Sequence, residues 1–333
     1  MLKIANASER ERRIVFLNTA EKLEIHPAIV EKDFWVCFML NHIFNKSEFS
    51  RLFVFKGGTS LSKAYHAIER FSEDIDLILD WRILNYGEKE PYLNRSKTQQ
   101  DKFNKAMNSQ AAGFYKKTLV PALKTEISKY LESDFDICVD ADDEMVVNFI
   151  YPNIFAESYI RPEIRLEIGP IAEWTPSNEK TIKPFVAECY PDIFEMEVTN
   201  ILTVEAYRTF WEKATILHKI ANMPEEKVLP SRYARHYYDL YCLANTPIKE
   251  IAFFNKYMLE KDVIFKEKFY YSKGAGYETA TLDEIRLVPD DYRIAEINND
   301  YEKMKNMFYG TIPSFKTVIK SISELEKEIH LLK

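Results

Sequence analysis

Phe53-Val54-Phe55-Lys56-Gly57-Gly58-Thr59-Ser60-Leu61-Ser62-Lys63, followed by Arg70-Phe71-Ser72-Glu73-Asp74-Ile75-Asp76-Leu77, is the stretch that decides how this chain is read. An apolar strand runs into two adjacent glycines and two hydroxyls. A helical segment comes next, and then two carboxylates one residue apart inside a second apolar strand. Gly57 and Gly58 let backbone N–H groups approach an anion closely, and the helix behind them offers its N-terminus. Asp74 and Asp76 share one face of their strand, because side chains alternate with a period of two. Two hard oxygen ligands at that spacing suit Mg²⁺ or Mn²⁺, and Mg²⁺ keeps its other positions for water and substrate phosphate. The stretch therefore predicts a triphosphate held beside a divalent cation, with Thr59 or Ser60 offering a hydroxyl to the β- and γ-phosphates.

Outward from this stretch, residues 8–24 read as a helix, and Pro27 opens a second one through Glu31-Lys32-Asp33-Phe34-Trp35. Phe53–Phe55 and Asp74–Leu79 are the strands of the central stretch, and Ser60–Glu69 is the helix between them. Residues 81–97 read as a loop, and about 98–132 as a long helix broken near Gly113 or Pro121. Phe135–Val139 and Met145–Tyr151 form a hairpin around the acidic turn Asp140–Glu144, and Glu163–Ile168 is a further strand. From Thr203 onward helical periodicity dominates, with 283–309 and 314–332 as closing helices. The fold class is α+β: a small mixed sheet with flanking helices (1–195), then a mostly helical C-terminal half (196–333).

A chain of 333 residues with 46% apolar content can bury a substantial core. Its net charge of −7 excludes a generally basic nucleic-acid binder, so any such contact must use a local positive patch. Cys37, Cys138, Cys189 and Cys242 lie far apart with no CxxC pair, which points to reduced thiols and a cytoplasmic location rather than a zinc site. The amino terminus lacks a signal-peptide core, and no apolar run approaches a membrane span, so no membrane partner is expected. The six histidines form no HExxH. The glycine that a P-loop needs before Lys63 is missing.

The same residues resemble a known family. Phe55–Lys63 with Arg70–Leu77 is similar to the first motif of the AbiEii/AbiGii nucleotidyltransferase-like toxins, within the polymerase-beta-type nucleotidyltransferase superfamily. Glu31-Lys32-Asp33, Trp211-Glu212-Lys213-Ala214 and Arg235-His236-Tyr237-Tyr238-Asp239-Leu240-Tyr241 are similar too, in the same order, so the resemblance covers roughly residues 25–245. It implies the toxin of a toxin–antitoxin or phage-defence system with a cognate antitoxin. It also implies transfer of a nucleotidyl group from an NTP, with a tRNA or other RNA 3′ end as acceptor.

On this reading Asp74 and Asp76 ligate the metal. The set expected to bind the NTP is Lys56, Gly57, Gly58, Thr59, Ser60, Lys63, Ser72 and Arg235. The resemblance implies that Lys213 reaches the triphosphate as a point charge and that Asp239 joins the site by orienting Lys213 or the nucleotide. NTP is expected between the sheet and the helical half. A third carboxylate is common in the superfamily. In Glu163-Ile164-Arg165-Leu166-Glu167-Ile168 the candidate is Glu167, as metal ligand or as the group that orients or deprotonates the acceptor hydroxyl, with a Glu–Arg165 pair as the plain alternative. Arg235 and Asp239, spaced i,i+4, also fit a surface ion pair. Two other functions stay open: the same chemistry on a protein or small-molecule hydroxyl, and a nucleotide-binding module without turnover. Lys268-Phe269-Tyr270-Tyr271-Ser272-Lys273 mixes cations with stacking rings that suit an unstacked RNA end, or it is ordinary helix packing and loop.

Overall fold

A computed structural model describes residues 1–157, 160–192 and 197–332. The chain forms two compact units: Met1–Ala64 with Phe71–Val204, and Tyr65–Arg70 with Glu205–Lys333.

Unit 1 is built from α1 (Leu2–Ala5), α2 (Glu9–Leu23), α3 (Pro27–Asn45), β1 (Phe53–Lys56), α4 (Gly57–Lys63), β2 (Asp74–Leu79), α5 (Lys97–Phe114), α6 (Val120–Ile127), β3 (Asp136–Val139), β4 (Val146–Ile150), β5 (Glu163–Gly169), β6 (Ser177–Ile182), α7 (Phe185–Cys189) and β7 (Val198–Val204). The sheet order is β3-β4-β5-β2-β1-β7-β6. The pairs β2·β5 and β1·β7 are parallel and the other neighbours antiparallel, so the sheet is mixed. The register sets Asp76 opposite Lys56 on one side and Glu167 on the other, and Asp74 opposite Arg165.

One face of the sheet is covered by α3, which packs on β5 and β7 and is buried along nearly its whole length. Pro27 stands at its first turn, where the missing N–H costs nothing. Its aromatic side chains continue into the sheet: Trp35 stacks on Tyr151 with ring centroids 5.7 Å apart, and Phe38 on Phe149 at 6.1 Å. A smaller cluster of Val54, Ile78, Ala172 and Val204 forms around Trp174, which stacks on Trp81 at 4.4 Å.

Unit 2 contains α8 (Ala206–Ala221), α9 (Ala234–Ala244), α10 (Ile248–Phe254), α11 (Tyr257–Phe269), α12 (Asp291–Lys303) and α13 (Phe315–His330). Here α8 packs on α9, α10 and α11, and α9 packs on α12 and α13. The backbone of Glu69 and Arg70 joins this unit: Arg70 bridges to Phe308, and Tyr309 N–H donates to the Glu69 carbonyl at 2.9 Å.

The α+β class and the hairpin around Asp140–Glu144 are as the sequence predicts. Several boundaries differ. The helix expected over Ser60–Glu69 begins at Gly57 and ends at Lys63, because residues 65–70 are drawn into unit 2, with His66 at φ +49°. The break expected near Gly113 or Pro121 is a π-helical turn over Tyr115–Leu119, with Pro121 in the first turn of α6. The loop over 81–97 holds two 3₁₀ turns, and the helix expected over 283–309 narrows to α12. Two strands, β6 and β7, were not anticipated. All four cysteines are free thiols, and no helix among the described residues is long and apolar enough to cross a membrane.

Candidate functional site

Strand β1 ends where Gly57 takes φ +81°, a left-handed conformation that glycine adopts without steric cost. The absent side chain matters equally: a Cβ at residue 57 would stand 1.9 Å from Asp76 Oδ2. The diglycine turn and the second acid are therefore in direct contact, and Gly57 is the residue that allows it. Thr59 Oγ1 donates to the carbonyls of Ser72 and Asp74, which ties α4 to the start of β2. Ser60 Oγ donates to the Gly57 carbonyl at 2.8 Å. Both hydroxyls are thus engaged with backbone, and both residues are buried. Gly57→Ala is expected to cost about 2–3 kcal/mol of stability from left-handed strain and the clash with Asp76, and to lose nucleotidyl transfer. A melting curve beside a transfer assay checks both, and an alanine variant with wild-type melting would show that the contact is not needed.

The two acids differ in their surroundings. Asp74 Oδ1 is buried and accepts no hydrogen bond. Burial first, and then the charges of Glu73 and Asp76, push the Asp74 carboxyl above the usual carboxylate range, against Lys32 and Arg165. Arg165 approaches Asp74 Oδ1 only to 3.8 Å and Glu167 Oε1 to 4.0 Å, while its NH1 is fixed on Asp140 Oδ2 at 2.9 Å. Arg165 is thus held by Asp140 rather than by Glu167. Among the described residues no three His, Cys, Asp or Glu side chains gather as a complete metal cage. An orphaned, repelled carboxylate oxygen beside a second carboxylate fits a divalent cation that also takes oxygens from substrate.

Of the consecutive residues Glu31, Lys32 and Asp33 on α3, the last two hold this turn in place. Lys32 Nζ pairs with Glu73 Oε2 at 2.9 Å, with both side chains buried. Asp33 accepts from the Phe185 N–H at 2.6 Å and faces Lys63 Nζ at 2.8 Å. Glu31 accepts the N–H groups of Ile154 and Phe155, and burial lifts its pKa to about 7. Helix α3 therefore fixes the end of α4 through Asp33 and the start of β2 through Lys32. Lys63, expected on the phosphates, is instead brought into the buried pair with Asp33. Lys56 stands opposite Asp76 in the sheet, and Ser72 contributes its carbonyl to Thr59.

In unit 2, Asp239 is fully buried at the centre of a second charge cluster. Arg70 Nε donates to Oδ1 at 2.6 Å and its NH2 to Oδ2 at 2.8 Å, a two-point fork. Lys213 Nζ donates to the same Oδ2 at 2.7 Å and approaches His236 Nδ1 at 3.1 Å. Burial opposes ionisation of Asp239, yet Arg70 and Lys213 hold its carboxyl well below the usual range. Burial and Lys213 hold His236 neutral. Burial also lowers the Lys213 pKa, against the pull of Asp239. The surface pair of Arg235 with Asp239 does not fit a fully buried Asp239. Arg235 is half-buried on α9, and its charge adds to those lowering Lys213. The sequence reading missed Arg70 in this role. Its place beside the central motif was the one available signal, since its partner lies 169 residues away.

Among solved structures the chain is similar to MenT4, a nucleotidyltransferase toxin from Mycobacterium tuberculosis H37Rv, at 12% identity and a TM-score of 0.43 over 96% of this chain and 97% of that one. The comparison with curated proteins finds no match. Residues 39–321, most of the chain, match the family model described as "Nucleotidyl transferase AbiEii toxin, Type IV TA system". The chain belongs to the AbiEii nucleotidyl transferase toxin family of Type IV toxin–antitoxin systems.

Proposed function

We propose that this nucleotidyltransferase toxin moves an NMP from an NTP to a hydroxyl at an RNA 3′ end, tRNA being the first candidate, with a divalent cation at Asp74 and Asp76. The orphaned Asp74 Oδ1 beside Asp76, in a turn closed onto Gly57, is the observation that carries the reading. When bound there, Mg²⁺ or Mn²⁺ would neutralise charge on the triphosphate oxygens. In the transfer itself the acceptor oxygen forms a bond to the α-phosphorus, the α–β bridging bond breaks, and pyrophosphate leaves with its electron pair. Glu167, on the strand beside Asp76, is the proposed group that orients the acceptor hydroxyl and takes its proton. Gly57 and Gly58 offer backbone at the turn. Lys213, with two of its three N–H groups engaged by Asp239 and His236, is the proposed point charge for phosphate.

The test is incubation of the protein with each labelled NTP and total RNA, with and without a chelator. Label is expected in the RNA fraction only when divalent cation is present, and Glu167→Gln is expected to slow incorporation by about 10²–10⁴-fold. Label in a protein fraction, with none in RNA, would replace the acceptor; incorporation unaffected by chelator would remove the metal.

A further inference from the structure

In unit 2 the C-terminal part of α8, the segment 223–230 and the turn at Lys273–Gly274 border an open surface pocket of about 290 Å³. Lys219, Lys227 and Lys273 line it together with Tyr233 and the apolar side chains of Ile220 and Val228. No carboxylate lines it, and none of the three lysines makes an ion pair among the described residues. Glu225 and Glu226 flank it in sequence and are exposed to solvent. In a chain of net charge −7, an acid-free pocket that gathers the exposed Lys227 and Lys273 with the half-buried Lys219 is a local positive patch that suits an anion. Burial first, and then the charges of Lys266 and Lys227, lower the pKa of Lys219.

The wall is built in advance of any ligand. Arg293, buried on α12, donates to the carbonyls of Pro224 at 2.8 Å and Lys227 at 3.0 Å, which fixes the segment that carries Lys227. Lys227 Nζ donates to the Lys273 carbonyl at 3.4 Å across the mouth. Gly274, at φ +80°, packs beside Pro224, so the opposite wall is set as well. Two rings precede this wall in sequence: Tyr270 and Tyr271 are 53% and 58% exposed just past the end of α11. Tyr270 rests partly on Phe265, with ring centroids 6.0 Å apart, and lysines beside partly exposed aromatic rings are a composition that binds single-stranded nucleic acid. A free mononucleotide has a single base to stack, whereas a strand supplies a base for each of the two rings.

We propose that this pocket grips phosphates of the acceptor RNA strand through Lys219, Lys227 and Lys273, with Tyr270 and Tyr271 stacking on its bases. The proposal rests on the RNA-acceptor reading above and adds a binding subsite to it. The experiment measures anisotropy of a labelled, short single-stranded RNA with a free 3′ hydroxyl on the full chain across a salt series. Wild type is compared with the triple variant Lys219→Gln/Lys227→Gln/Lys273→Gln and with Tyr271→Ala. The triple variant is expected to bind at least about tenfold more weakly, with the slope of log affinity against log salt shallower by about 2. Tyr271→Ala is expected to weaken binding about tenfold and leave the slope unchanged. Equal affinity and slope in the triple variant, or no RNA binding by wild type, overturns the proposal. Loss of triphosphate binding alone in the triple variant makes the pocket a nucleotide site and also overturns it. Transfer of label onto the same RNA is scored separately. Lysine-dependent binding without label removes the acceptor reading and leaves the subsite, whereas label with lysine-independent binding removes the subsite and leaves the acceptor reading.

Discussion

Asp74→Asn is expected to abolish nucleotidyl transfer while the metal-free protein melts at or above the wild-type temperature. The two effects have one cause. Asp74 carries a buried oxygen with no hydrogen bond, next to the charges of Glu73 and Asp76. Without a cation, that negative charge is an electrostatic cost to the fold, and the amide removes it. A gain on the order of 1 kcal/mol is expected. With nucleotide and cation present, the same charge is the attraction that holds them. Its loss is expected to reduce transfer by at least about 10³-fold, equivalent to about 4 kcal/mol of transition-state stabilisation. The pH dependence follows from the direction of the shift. A carboxyl whose folded pKa lies above its unfolded value stabilises the fold below the unfolded pKa and loses that contribution as pH rises through the folded one. Metal-free wild type should therefore lose stability from acid toward neutral pH more steeply than Asp74→Asn. Added Mg²⁺ with NTP should raise the wild-type melting temperature and leave the variant unmoved. Melting curves across pH, with and without cation, and a labelled-nucleotide assay decide it. A variant that transfers normally, or that Mg²⁺ stabilises equally, places the cation elsewhere.

The central motif was legible because its logic is local. Two acids at a spacing of two, embedded in Ile75, Leu77 and Leu79, must share a strand face, and a diglycine before a helix must be a tight turn. That Gly57 touches Asp76 follows from β1 and β2 being antiparallel neighbours. Strand β6 escaped because Ser177-Asn178-Glu179-Lys180-Thr181-Ile182 lies at the sheet edge and buries only its last residue, so no alternation marks it. The start of α4 was misplaced because Gly57, at φ +81°, lets the helix begin directly after Lys56, the last strand residue. Glu31, Lys32 and Asp33 held a signal that went unused: three consecutive charged residues inside an apolar helix need polar partners, and they have the N–H groups of Ile154 and Phe155, Glu73, and Lys63 with the Phe185 N–H. The partners themselves are far apart in sequence, which single-sequence periodicity does not report. The family match also runs past residue 245, where the motif resemblance stopped, because helical scaffolding in unit 2 carries few short fixed motifs.

Asp239→Asn should produce the largest loss of stability of any single change at these two clusters. It removes the charge that pairs with both Arg70 and Lys213 inside the core. The wild-type arrangement is a bidentate fork on Arg70 plus a third donor from Lys213, with Asp239 fully buried. Neutralising the acid leaves two buried cations without a counter-charge, a change that costs about 3–5 kcal/mol and on the order of ten degrees of melting temperature. Asp239 has a depressed folded pKa, so its contribution is present above the unfolded carboxylate pKa and disappears as pH falls through the folded value. The gap between wild type and Asp239→Asn should hold across neutral and mildly acidic pH and close only in strong acid. Lys213→Met separates structure from function at the same carboxylate. The Arg70 fork survives, one cation is removed along with one donor, and the stability loss should stay near about 1–2 kcal/mol. If Lys213 serves phosphate as proposed, its transfer activity should nonetheless fall by at least about 10²-fold, with KM for NTP rising. Lys213→Met with full activity would reduce this cluster to a structural clasp between Arg70 and α9, and Asp239→Asn with wild-type melting would show that the buried fork contributes nothing to the fold.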